Sequence, residues 1–248
     1  MKKGLVYLLL GGFLFGGCNC GIRTEEETYY EAPNWTSDNK ICFLELYYVA
    51  KYRSNIITGD ELFDEKSEVW VCEINNDGTG KKQIKEVMDA DYRVGLISSS
   101  SASNWIVFNL EVRVGGNSQY KIYVIKRDGS ELKEICSGMY PDFSPDASRI
   151  VYQKLNQGLW IMNREGSGDK QIVENVNATH PAWSSGGGRI IYEKDSLLIL
   201  IDTIGNQIGM FLEPADYPDW GPSDSNALSV GELSNYKGKI IYLFIGIL

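Results

Sequence analysis

Only one histidine, His180, occurs in the 248 residues. That excludes any triad, dyad or metal cluster needing two imidazoles from this chain. Carboxylates are the other candidates for acid–base work, and Asp142, Asp146, Asp219 and Asp224 crowd into two short segments. A catalytic carboxylate pair needs environments that drive the two pKa values apart. Here each aspartate stands beside or close behind a proline, at the turn positions of a recurring pattern. Asn75-Asn76-Asp77-Gly78-Thr79-Gly80 offers oxygen ligands in part of a calcium-loop spacing. It lacks the distal bidentate glutamate, and Asp-Gly is also a strong hairpin signal. The Ser98–Ser101 run with Ser103 reads as loop, and no Gly-x-Ser-x-Gly elbow is present to raise a serine nucleophile. Trp35, Phe143, Trp183 and Trp220 suit a sugar-stacking platform by residue type, yet their spacing is that of a repeat and predicts buried packing.

The repeat has two halves. Ala32-Pro33-Asn34-Trp35, Tyr140-Pro141-Asp142-Phe143, His180-Pro181-Ala182-Trp183 and Tyr217-Pro218-Asp219-Trp220 form the first. His180 therefore stands where Tyr140 and Tyr217 stand in sister units, and a structural role is expected for it. The second half places Ile and an aromatic two apart, on one face of a strand. It reads Ile41-Cys42-Phe43, Ile106-Val107-Phe108, Ile150-Val151-Tyr152 and Ile190-Ile191-Tyr192. Another apolar strand follows each, then a turn such as Asp77-Gly78, Asp128-Gly129, Glu165-Gly166 or Gly205-Asn206, then a short polar-to-apolar run. The unit around Tyr92 to Phe108 lacks the Pro and Trp. About four short strands every ~40 residues is the period of a propeller blade.

The clearest copy, Tyr140 to Ile172, resembles the WD40-like repeat of TolB-type β-propellers, and the pattern extends over nearly everything from Ala32 onward. The resemblance implies an all-β propeller, and counting the units gives about five four-stranded blades, with the last blade incomplete after Trp220. The segment before Ala32, with Tyr29 and Tyr30, is a candidate to pair with that last blade. Ala147 departs from the family's usual glycine, a strained choice if the position needs positive φ.

Ahead of the repeat, Lys2 and Lys3 precede an apolar run from Leu5 to Leu14 that ends in Gly16-Gly17-Cys18. The run is too short to span a bilayer as a helix and suits a signal-peptide core. Small residues before a cysteine resemble a bacterial lipobox, so residues 1–17 are expected as the signal peptide and Cys18 as the lipidated residue. Residues 18–31, with Glu25, Glu26 and Glu27, read as an acidic tether to a propeller over 32–248. An exported setting permits disulfides among Cys20, Cys42, Cys72 and Cys136. Cys42 and Cys72 fall on adjoining strand runs, where a disulfide and two small buried side chains are equally open readings.

The chain carries 33 acidic against 24 basic residues, a net charge of −9, which is the wrong sign for a nucleic-acid binder. The expectation is a lipid-anchored propeller facing periplasm or cell surface. It would act as a non-catalytic scaffold for an envelope protein, without cofactor or metal. The alternative is a module that binds a carbohydrate or another small ligand.

Overall fold

The computed structural model describes residues 22–36, 38–55, 59–90, 94–114, 117–211, 218–220 and 227–229. The leader, Cys18, Cys20, Asp224 and the C-terminal stretch lie outside them. Sheet one contains β1 (Ile22–Trp35), β2 (Lys40–Asn55), β3 (Gly59–Asn75) and β4 (Lys82–Ala90). Sheet two contains β5 (Val94–Ala102), β6 (Trp105–Val114), β7 (Asn117–Lys126) and β8 (Lys133–Ser137). Sheet three contains β9 (Met139–Phe143), β10 (Arg149–Lys154), β11 (Gly158–Asn163) and β12 (Lys170–Val173). Sheet four contains β13 (Ala178–Trp183), β14 (Arg189–Lys194), β15 (Leu197–Asp202) and β16 (Gln207–Phe211). A two-stranded piece, β17 (Pro218–Trp220) with β18 (Ala227–Ser229), follows them. Every sheet is an antiparallel meander in chain order.

First strands pack on first strands, β1 on β5, β5 on β9, β9 on β13 and β13 on β17. They therefore form the inner wall, and sheets two, three and four present both faces to neighbours. That is why the strands read as continuous apolar runs: Ile150, Val151 and Tyr152 are all fully buried. Ile150 and Tyr152 join Val107, Ile122, Val124 and Phe143 between sheets two and three. Val151 points the other way, to Trp183, Ile190, Tyr192 and Ile199 of sheet four. The hydrophobic effect contributes roughly 1.5–3 kcal/mol for each such large side chain. Phe143 and Trp183 are core, as their repeat position predicts, and Trp220 covers Ala182, Ile191, Leu198 and Leu200.

Two expectations change, and one open reading is decided. Residues 22–31, read as tether, are strand: β1 pairs with β2 from Ile22 opposite Arg53 to Trp35 opposite Ile41. Tyr29 and Tyr30 accordingly sit opposite Leu46 and Glu45 rather than on a last blade. Ser98–Ser101, read as loop, belongs to β5, where the buried Ser100 Oγ accepts the Phe143 amide of the next sheet. A hydroxyl there satisfies a backbone donor that would otherwise be buried without a partner. Finally, Cys42 and Cys72 are free, as is Cys136. Cys42 lies opposite Glu73 and Cys72 opposite Phe43. Since strand side chains alternate, the two thiols leave opposite faces of sheet one and cannot meet.

Candidate functional site

The inner strands of sheets three and four open with the same irregularity. Tyr140 and His180, each just before a proline, have φ of 50° and 47°. The register slips there, between Val151 and Gln153 on one sheet and between Thr179 and Ala182 on the other. Residues preceding proline normally stay extended, and positive φ costs a residue with a Cβ on the order of 1–2 kcal/mol. The bulge turns the two rings toward each other, with centroids 3.9 Å apart at 43°.

Side chains of the second strands hold this geometry. Asn109 Oδ1, fully buried, accepts the Tyr140 amide at 3.1 Å. Gln153 Oε1 accepts the Thr179 hydroxyl at 3.0 Å. Glu193 Oε2 lies 3.2 Å from His180 Nδ1. Asn109, Gln153 and Glu193 fill one repeat position, the residue after Phe108, Tyr152 and Tyr192. None was singled out in the sequence. The available signal was a polar residue following three of the four Ile-x-aromatic triplets, Leu44 taking that place after Phe43. Burial pushes His180 down to about 4, so the ring is neutral at pH 7 and donates to Glu193 in its Nδ1–H tautomer.

Asp142 and Asp146 are held by different partners. Asp142 Oδ2 accepts the Trp183 amide at 2.5 Å, tying β9 to β13. Asp146 lies in the β9–β10 turn, accepting Ser144 Oγ at 2.6 Å and the Ser148 amide at 3.0 Å. Those donors hold its carboxyl at about 2. For Asp219 only the strand position in β17 is described. Asp77 caps its own hairpin, accepting the Thr79 amide at 2.9 Å and hydroxyl at 2.7 Å, so the calcium-like segment is a turn. Among the described residues, no three His, Cys, Asp or Glu side chains are grouped to hold a metal ion.

The fold has two unlike faces. Inner strands begin on one face, where the β2–β3, β6–β7, β10–β11 and β14–β15 hairpins also turn. Tyr140 and His180 open there, beside an open cleft of about 490 Å³ lined by Tyr120, Cys136, Met139 and Lys154. The opposite face carries the tight turns. Among them, Arg127 reaches from sheet two to sheet one, pairing with Asp38 at 2.9 Å and with Glu73, itself 2.6 Å from Lys40 Nζ.

No family model matches the sequence, and no curated protein does. Solved structures do. TolB from Acinetobacter baumannii is 13% identical with a TM-score of 0.52, over 81% of this chain and 50% of that one. This chain thus spans half the length of that TolB. An oligogalacturonate lyase in complex with manganese is 13% identical at 0.52, over 85% and 72%. A gluconolactonase from Xanthomonas campestris is 12% identical at 0.51, over 83% and 86%. The fold is therefore a TolB-like β-propeller. Two of these relatives in fold are named as enzymes, and this corrects the expectation of a non-enzyme. Neither propeller architecture nor the repeat argues against catalysis.

Proposed function

We propose that the protein is a lipid-anchored β-propeller of the bacterial cell envelope that binds a partner protein through its face of tight turns. The observation behind this reading is the two-faced fold. β1 starts on the hairpin face, four residues after Cys18, which leaves the turn face free. That face is polar and pre-organised: Asp38, Asp77, Asp128 and Asp146 are exposed and each is locked by a neighbouring hydroxyl. Pre-set side chains lose less entropy on binding.

The test is in-cell crosslinking of tagged full-length protein, with Cys18→Ala as the unanchored control and Asp77→Arg/Asp128→Arg as the altered face. One envelope protein recovered from the unsubstituted chain, and lost with the altered face, supports the reading. Recovery unchanged by the face substitutions overturns it.

A second reading places a small ligand on the hairpin face, favoured by the Tyr140–His180 stack, the Glu193 carboxylate and the adjoining cleft. Because oligogalacturonate lyase and gluconolactonase share the fold, oligogalacturonates and aldonolactones belong in a thermal-shift screen that also follows turnover. A ligand bound only by the native state raises the melting temperature. The shift should vanish in His180→Ala if this reading is correct.

A further inference from the structure

Sheet one is longer than its sisters. β2 and β3 have 16 and 17 residues, against six each in β10 and β11. The core ends at Ala50, which is fully buried. Beyond it, Lys51–Asn55 and the start of β3 continue as a tongue, with Ile22–Thr24 as its third strand. At a rise of about 3.3 Å per residue, five residues reach roughly 16 Å past the body.

On both sides, the described residues of the tongue carry apolar and aromatic side chains interleaved with charged ones. Ile22, Leu62 and Phe63 are 60%, 43% and 45% exposed. The Arg53 guanidinium lies 5.3 Å from the Phe63 ring centre, and that of Arg23 lies 4.9 Å from the Tyr52 ring centre. Arg23 also pairs with Asp60 at 3.4 Å. Among Arg23, Lys51, Arg53, Asp60, Glu61 and Asp64 the charges balance, three against three, so the tongue neither repels nor strongly attracts a charged surface. Aromatic rings with a polar partner, beside exposed aliphatic side chains, suit a boundary between water and hydrocarbon.

What faces the tip follows from the chain leading to it. Cys18 is four residues before Ile22, and four residues span at most about 14 Å. An acyl chain on Cys18 would hold the tip at headgroup level, on a lead too short to let the body swing away. We infer that the tongue of sheet one is a membrane-contacting element, seating Ile22, Leu62 and Phe63 in the bilayer interface. It turns the hairpin face toward the lipid and the tight-turn face toward solvent. This inference rests on the lipid anchor proposed above.

The experiment uses full-length lipidated protein in phosphatidylcholine–phosphatidylglycerol vesicles containing brominated lipid. Phe63→Cys on the tongue and Thr79→Cys on the turn face each carry an environment-sensitive fluorophore in a Cys20→Ser background, whose own labelling is the blank. The mass of the N-terminal peptide is measured first. With an acylated Cys18, the fluorophore at 63 loses emission to brominated lipid while that at 79 does not. An acylated protein that floats with the vesicles while both probes stay unquenched overturns the tongue's role and leaves the anchor standing. If only native envelope membranes then shield position 63, a protein occupies the tongue instead. An unmodified Cys18 overturns the anchor and this inference together.

Discussion

At pH 7 the His180 imidazole is neutral, because burial against Tyr140 and the neighbouring inner strand penalises its charged form. Its pKa falls from 6.5 to about 4 on folding. Below 6.5 the unfolded chain therefore takes up a proton that the folded chain refuses. The contribution is complete above 6.5 and is lost as pH falls toward 4. On this site alone, stability should drop between pH 7 and pH 4.5, by less than the burial shift implies because Glu193 Oε2, 3.2 Å from Nδ1, favours the protonated ring. Urea midpoints at the two pH values should differ less in His180→Gln than in the unsubstituted protein. The thiols give a second residue-scale expectation. Burial pushes Cys42 to about 11, while burial and the Glu45 carboxylate push Cys72 to about 12. Both should resist a thiol reagent at pH 8 in the native protein, react once it is denatured, and show no mutual disulfide by mass.

Turns are where the elements are most demanding. Gly78, Gly129, Gly166 and Gly205 occupy one position in successive third-to-fourth-strand turns, all at positive φ. The surroundings differ. A Cβ on Gly78 meets nothing within 4 Å, whereas one on Gly205 would lie 2.1 Å from the Ile172 carbonyl oxygen. Gly78→Ala should cost only the backbone strain, about 1–2 kcal/mol. Gly205→Ala adds a clash with backbone and should cost about 3 kcal/mol or more, read from urea unfolding of the two variants. In the turns between first and second strands, Asn39, Ala147 and Gly187 share a position at φ of 63°, 55° and 75°. Ala147 accepts that strain, and its methyl is fully buried beside Phe143 and Ile150, so packing offsets part of the cost. The repeat made these turns readable. It did not reveal that Gly205 is pressed against the preceding sheet, since that distance depends on how two blades stack.

At the scale of the molecule, each sheet depends on the next to cover its apolar face. Trp220 does this for sheet four, packing on Ala182, Ile191, Leu198 and Leu200 and donating its indole N–H to the Ala182 carbonyl at 3.0 Å. Trp220→Ala should remove both contacts, destabilise by about 2–4 kcal/mol and uncover an apolar face. Increased binding of a hydrophobic dye and earlier elution on size exclusion would show it. Unchanged dye binding and elution would mean that other residues cover the face.

Alternating and continuous apolar runs, proline-initiated strands and Asp-Gly turns are local features. They were sufficient to determine an all-β repeat, the burial of Phe143 and Trp183, and the packing position of Trp220. The same local logic placed His180 just before a strand proline and Asp146 in a turn. Tertiary structure decided what depends on register and stacking. It brought Asn109, Gln153 and Glu193 to the inner-strand bulges and set Cys42 and Cys72 on opposite faces. It also drew residues 22–31 into β1, because a strongly acidic stretch becomes strand once β2 offers it a ladder of backbone partners. Pairing energy of that kind lies in the neighbour and not in the segment's own residues.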